Sequence, residues 1–316
     1  MVERSAIPGY GAIFNAGLLH HDGRYHLFAR AIREGYRRND GQGPRFLNYL
    51  SDIVVLESDD GERYDFGYVL TRSGTDLVHC YEDPRVQWVT SDGIDHLVMT
   101  YTNLPDPSSG LPCRIGAHRL LYDGSRFSLD EESGTLLGPE AIANKDAVLF
   151  NLDDGRVAMI HRIHPNMQLA VFDSLDHLWG ADAGYWARYC AELESHTIIR
   201  PSLGAMGVGA GAPPVVTDAG RLLFFHERDH RGVYLMKLAL LNATTGRVVA
   251  MLDRPLLEPE LEWEITGDVD HVVFVQGAHR RDDGSIYLTY GAADAHVGAA
   301  ITDESSLLEM LHSKSA

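Results

Sequence analysis

The sequence predicts an all-β chain: a five-bladed β-propeller with short helical insertions and a C-terminal helix. Two observations lead there. The first is a hairpin pattern, an apolar run, a tight turn ending in glycine and a second apolar run, which occurs five times along the 316 residues. The second is its regularity, since the turn glycines Gly23, Gly93, Gly155, Gly220 and Gly284 lie 70, 62, 65 and 64 residues apart. Sheets of similar size at a fixed period are the signature of a radial repeat. The period exceeds the common propeller repeats of ~40–50 residues, so the surplus falls in long loops, where function concentrates. A β-sandwich is the alternative, but it has no reason to repeat at this interval.

The elements follow in order. "NAGLLHHDGRYHLFARA" turns at Asp22-Gly23, and "DPRVQWVTSDGIDHLVMTYTN" turns at Asp92-Gly93. "KDAVLFNLDDGRVAMIHRI" turns at Asp154-Gly155, "PPVVTDAGRLLFFHERD" at Ala219-Gly220, and "HVVFVQGAHRRDDGSIYLTYGAAD" at Asp283-Gly284. Asp-Gly between alternating apolar residues signals a type I′ hairpin, because that turn needs positive φ. "ADAGYWARYCAELESH" places Tyr185, Tyr189 and Leu193 at helical spacing, and "TDESSLLEMLHS" predicts a closing helix with Asp303 near its cap. No low-complexity linker separates the repeats, so residues 1–316 read as a single domain.

Composition narrows the partners. The net charge of −18, from 27 basic and 45 acidic residues, repels phosphate backbones and anionic membranes, so neither nucleic acid nor a membrane is an expected partner. A neutral ligand such as a sugar is compatible with it. Cys80, Cys113 and Cys190 form neither a zinc pattern nor a disulfide framework. With no basic-apolar leader and no membrane-length apolar run, a cytoplasmic protein is expected. The histidine pairs His20/His21, His161/His164 and His226/His230 lack the three or four converging ligands of a zinc site, so no metal is expected. "GVGAGAPP" lacks the lysine and helix of a nucleotide loop and reads as close backbone packing.

The candidate site comes from the strand ends. In a propeller the inner strands line a central channel. The five hairpins carry Asn15, Asp83, Lys145 with Asp146, Pro213 with Pro214, and Asp270 at their starts. At their ends they carry Arg30, Asn103, His161 with Arg162, His226 with Glu227, and Asp294. Polar groups repeated at equivalent positions point to a shared pocket near the axis. Within "CYEDPRVQW", Asp83 suits general-acid work: burial and Glu82 would raise its pKa, and Arg85 would lower it. The bland alternative is a turn cap paired with Arg85.

Five segments in order, "EDPRV", "NKDAVLF", "HRI.P", "GAGAPPV.T..G.L..FH" and "VVF..GA...DGSIYLTYGAAD", make the chain resemble glycoside hydrolase family 130, which contains β-mannoside phosphorylases and some hydrolases. The resemblance implies a five-bladed propeller, in agreement with the hairpin count. It also implies that Asp83 protonates the leaving glycosidic oxygen through a substrate hydroxyl. Asn15, Arg30 and Asp294 would grip the mannosyl ring, and Arg162 and His226 would hold the attacking phosphate. Two cations usual in the phosphorylases are replaced here, by Gly207 and by Ala143 or Asn144, although Lys145, Arg114 or Arg119 could substitute.

Water and phosphate are therefore competing attackers. An inverting hydrolase needs a base on the face opposite the acid, whereas phosphate needs cations there. Glu227 is the candidate base if the strand bends at His226; otherwise a salt bridge or a solvated surface claims it. With two cations missing, hydrolysis is narrowly favoured and phosphorolysis is the alternative. A non-catalytic sugar-binding propeller is the third reading, and an intact "EDPR" argues against it. Substrate contacts are expected from Asn15, Arg30, Arg85, Asp146 and Asp294, and phosphate contacts from Lys145, Arg162 and His226. No cofactor is expected, only inorganic phosphate as co-substrate in the phosphorylase case. The partner is an oligosaccharide. The loops at residues 33–46 and 102–114 would select its accepting end, and the first could reach a neighbouring subunit in a homo-oligomer.

Overall fold

A computed structural model describes residues 2–39, 41–74 and 79–313. Five antiparallel sheets form the blades of a propeller. The inner strands are Tyr10–His21, Cys80–Ser91, Lys145–Asn151, Gly207–Ala210 and Val273–Arg280. Each turns back into a partner: Arg24–Arg33, Ile94–Leu104, Val157–Arg162, Gly220–Arg228 and Ser285–Ala292. In blade 4 a short strand, Val215–Thr217, lies between the two and pairs with the second.

The strands read as nearly continuous apolar runs because both faces are buried. The five largest cores each lie between neighbouring blades. Phe28 and Val55 meet Val86 and Met99 between blades 1 and 2. Val98 and Ile115 meet Leu149 and Met159 between blades 2 and 3. In "GRLLFFHE", Leu223 and Phe225 pack toward blade 3, while Leu222 and Phe224 pack toward Val275 and Leu288 of blade 5. Ile13 and Leu27 meet Tyr287 and Val297, which brings blade 5 back to blade 1. Val2 bonds Val297 through both backbone groups, 2.9 and 3.1 Å, and fastens the ring there.

The turn expectation holds in part. Asp22-Gly23 and Asp92-Gly93 have positive φ at both residues, as type I′ requires. At Asp154-Gly155 and Asp283-Gly284 only the glycine does. There the aspartate accepts from the backbone N–H two residues on, at 3.1 and 2.9 Å, and this Asx contact sets the turn instead. The expected helices are present: Ala183–Ala191 and Leu193–His196 in blade 3, and Glu304–His312 at the end. Asp303 caps the last by accepting from Ser306 N–H at 3.0 Å. Leu175–Trp179 and Glu262–Ile265 add two short helices without a clear sequence signal. No helix among the described residues is long and apolar enough to cross a membrane.

Candidate active site

The inner strands of blades 1, 2 and 3 share one irregularity. Their ladders slip between Phe14 and Gly17, between Glu82 and Arg85, and between Lys145 and Val148. At each slip one residue takes the left-handed conformation: Asn15 (φ 47°), Asp83 (φ 51°) and Asp146 (φ 57°). Asn and Asp tolerate this region better than other side chains, and a bulge there re-aims the residue. This explains an acid followed by proline inside a strand: "EDP" is a bulge, and Pro84 sits where no ladder hydrogen bond is required. The bulge also breaks the normal alternation, so Glu82 and Asp83 both face the pocket.

The three bulges, with Asp294 from the turn between the last two strands of blade 5, line a cavity of about 720 Å³. Asp83 Oδ1 accepts from Asn15 Nδ2 at 2.7 Å and from Arg30 at 3.0 Å. Arg30 also bonds Glu82 and Tyr49, and the Tyr49 hydroxyl donates to Glu82 at 2.8 Å. Asn15 fits closely, because a Cβ at Gly291 would stand 1.7 Å from its Oδ1. That oxygen is buried with no hydrogen-bond partner among the described residues.

A second cluster surrounds Asp146. Arg162 Nε lies 3.0 Å from its Oδ2 and His226 Nε2 lies 3.6 Å from the same oxygen. Lys145, Arg162 and His226 all line the cavity. Gly209 makes this approach possible, since a Cβ there would meet Asp146 Oδ2 at 2.3 Å and His226 Nε2 at 2.6 Å. The glycine run of "GVGAGAPP" is thus explained by backbone proximity.

The electrostatics separate the carboxyls. Burial pushes Asp83 up, but Arg30, Lys145, Arg85 and the Asn15 hydrogen bond outweigh it and hold the group below the usual carboxylate range. Its neighbour Glu82 goes up, by burial and by repulsion from Asp83, against the pull of Arg30. Burial, opposed by Arg30 and reinforced by Asp83, pushes Asp294 up to about 6. Asp146 stays ionised far down the scale, because Arg162, His226 and Arg85 overcome its burial. Burial brings His226 down to about 3 despite Asp146, so its ring is neutral.

Two expected site residues lie elsewhere. Glu227 does not line the cavity. The strand keeps its alternation through Arg228, so Glu227 shares a face with Leu223 and Phe225 while His226 takes the pocket side. Glu227 is 5% exposed, accepts from Ser202 N–H at 2.7 Å, and pairs with Lys237 at 3.5 Å. Arg85 is 1% exposed and also does not line the cavity. It donates to Gly211 O and Ala210 O, both 2.7 Å, to Asp83 O at 3.0 Å and to Asp146 at 3.3 Å. It ties blade 2 to blades 3 and 4 and holds two bulges in place.

Asn103 and Asp270 also fall outside the main cavity, beside two smaller ones. Gly207 and Asn144 are not among the lining residues, and Asn144 is fully buried with Oδ1 2.9 Å from His161 Nδ1. Residues 44–46 of the first loop and 47–50 just beyond it line the cavity, as do Leu104 and Pro107 from the second. Tyr49, Phe46 and His79 were not singled out from the sequence, because loop residues carry no periodic signal. Glu82 was legible only as a neighbour of Asp83. Phe274, inside the "VVF" motif, packs on the His226 ring at 4.2 Å.

The geometry can be set beside known proteins. The profile of glycoside hydrolase family 130, described as β-1,4-mannooligosaccharide phosphorylase, matches residues 3–313. A β-1,2-mannobiose phosphorylase of Thermoanaerobacter sp. (strain X514) is 31% identical over 299 residues, 93% of this chain and 90% of that protein. A 1,2-β-oligomannan phosphorylase of the same strain is 31% identical over 301 residues, 92% and 90%. The structure of a Listeria innocua β-1,2-mannobiose phosphorylase, in complex with β-1,2-mannobiose, superposes with a TM-score of 0.76 at 19% identity, covering 97% of this chain and 94% of that one. Profile and relatives agree with the motif order and the blade count: the chain belongs to glycoside hydrolase family 130, whose members act on β-mannosidic bonds as phosphorylases or hydrolases.

Proposed function

We propose that this chain is a β-mannoside phosphorylase, acting on β-1,2-linked manno-oligosaccharides and releasing mannose 1-phosphate. One observation carries the reading. The cavity holds Lys145, Arg162 and His226 together, while Glu227, the base that hydrolysis would need, is turned away and paired with Lys237. Asp146 is a poor base because it is held ionised far below working pH. Asp294 shares the cavity with Arg30, Asp83 and Glu82 and interacts with their charges, so we group it with the acid and the ring-holding residues, whereas an inverting base acts from the opposite face. The narrow preference for hydrolysis rested on two missing cations, and Lys145 makes up part of that loss. The names of the relatives support phosphorolysis and the β-1,2 linkage.

The steps follow from the residues. Asn15, Arg30 and Asp294 hold the mannosyl ring. Lys145 and Arg162 neutralise a phosphate, and neutral His226 supplies or accepts one hydrogen bond. A phosphate oxygen forms the new bond to C1 while the C1–glycosidic oxygen bond breaks and its electron pair stays with the leaving sugar. Asp83 supplies the proton that this oxygen takes, through a substrate hydroxyl. In the free pocket Asp83 is ionised, so it draws that proton from its neighbours Glu82 and Asp294, both of them raised and Asp294 to about 6. We place the reaction in the cytoplasm, which suits three free cysteines. Incubation with β-1,2-mannobiose, with and without inorganic phosphate, tests the reading. Phosphate-dependent mannose 1-phosphate is expected, and free mannose formed at a rate indifferent to phosphate would refute it.

A further inference from the structure

Beside the mouth of the main cavity lies a smaller one of about 210 Å³, lined by Arg38, Arg45, Arg228, Arg231, His271 and Asp270 among others. The arginines come from two distant segments: the first loop of blade 1 and the end of a blade 4 strand with its turn. Among the described residues the Arg38 and Arg45 guanidinium groups make no ion pair or hydrogen bond; Arg45 lies over the Phe46 ring at 5.8 Å. Arg228 reaches the Gly232 carbonyl at 3.5 Å and the face of Tyr234 at 5.4 Å. Among the described residues Arg231 alone of the four pairs with a carboxylate, Asp229 at 2.8 Å. Asp270, the one acid lining the cavity among the described residues, accepts from Gly267 N–H at 3.3 Å.

This arrangement is unexpected in a chain of net charge −18. Carboxylates are abundant, yet among the described residues Arg38, Arg45 and Arg228 converge on one concavity with no carboxylate in ion-pair contact. Like charges gathered in this way repel unless an anion lies between them, and the planar guanidinium fork matches an oxyanion. The volume falls below the ~300–1,000 Å³ of sites that enclose a whole organic ligand, so it suits one oxyanion group. Arg45 and Val269 line both cavities, so the two are neighbours.

We propose that this basin is a second anion site, separate from the Lys145–Arg162–His226 cluster, and that it takes a phosphate group. The group is either inorganic phosphate held at the mouth, where it raises the local co-substrate concentration, or the phosphoryl end of a sugar phosphate whose ring extends toward the main cavity.

The test is calorimetric titration of the full chain with inorganic phosphate, and separately with mannose 6-phosphate. The proteins are the wild type, the double variant Arg38→Ser/Arg231→Ser, and Arg162→Ala. The wild type is expected to bind two phosphates per chain. The double variant keeps one and loses the other by roughly tenfold or more, the effect of removing charge-assisted contacts, while kcat at saturating phosphate is unchanged. Arg38→Lys/Arg231→Lys retains most of the lost binding and controls for folding. Tighter binding of mannose 6-phosphate than of inorganic phosphate at the basin identifies the sugar ester as its ligand; a raised KM for phosphate in the double variant identifies the free ion. Two events persisting in the double variant, or a single wild-type event abolished by Arg162→Ala, overturns the site. If phosphorolysis itself is wrong, turnover will not depend on phosphate, yet the event lost in the double variant will remain in Arg162→Ala, so the two failures are distinguishable.

Discussion

Replacing Asp83 with asparagine removes a titratable proton while leaving most of its surroundings intact. Both donors, Asn15 Nδ2 at 2.7 Å and Arg30 at 3.0 Å, bond the same oxygen, Oδ1, and an amide oxygen can accept from both. What is lost is the charge assistance to Arg30, worth about 1 kcal/mol, and Arg30 keeps Glu82 as a partner. The variant should therefore fold, with its melting temperature lowered by only a few degrees. Its kcat on β-1,2-mannobiose with phosphate should fall by ~10²–10⁴, the usual contribution of a positioned general acid. Mannobiose binding, measured calorimetrically, should stay close to wild type. On an aryl β-mannoside with a dinitrophenol leaving group, which departs without a proton, the loss should shrink to a small factor. Asp83→Ala is the contrast: it leaves two buried donors unpaired at about 1–3 kcal/mol each, so it costs stability as well. If Asp83→Asn kept more than about a tenth of wild-type kcat on mannobiose, or lost as much on the dinitrophenyl substrate, the assignment of the acid would be wrong.

Three further outcomes are expected. Glu227→Ala leaves Lys237 buried without its partner and should lower stability by about 3–5 kcal/mol in chemical denaturation, while kcat per folded molecule changes by no more than a small factor; a fall of ~10² or more would restore Glu227 as a base. Arg162→Ala removes one cation of the proposed phosphate cluster and should raise the KM for phosphate by about 10–100-fold with little effect on mannobiose binding, measured by initial rates against each substrate. Asp294 has a folded pKa near 6 against 3.8 for an ordinary aspartate, so the folded state binds the extra proton and stability declines as pH rises from about 4 to above 6. Asp294→Asn should flatten that part of the curve, on the order of 2 kcal/mol between pH 4 and 7.5, in denaturation followed across pH; a curve as steep as wild type would contradict the shift.

Several levels of this protein are legible along the chain. The five hairpins rest on turn chemistry and alternation, which are local, so the ring and its blade count follow from residues such as Asp22-Gly23 and Asp92-Gly93. The "EDPR" and "NKDA" segments mark the strand starts that carry Asp83 and Asp146, because the acids sit beside residues that cannot continue a regular ladder or must slip within it. The cap at Asp303 is equally local.

Only the closed ring decided which of these groups meet. Asn15 reaches Asp83 across 68 positions and Arg85 reaches Gly211 across 126, separations over which no periodic pattern carries information. Burial then decided the protonation states: the same residue type is held down at Asp83 and Asp146 and raised at Asp294, according to how many cations enclose it. The turning of Glu227 toward Lys237, the inward burial of Arg85 and the gathering of Arg38, Arg45, Arg228 and Arg231 around one basin have the same origin. They depend on which blade lies next to which, and local propensity does not encode that.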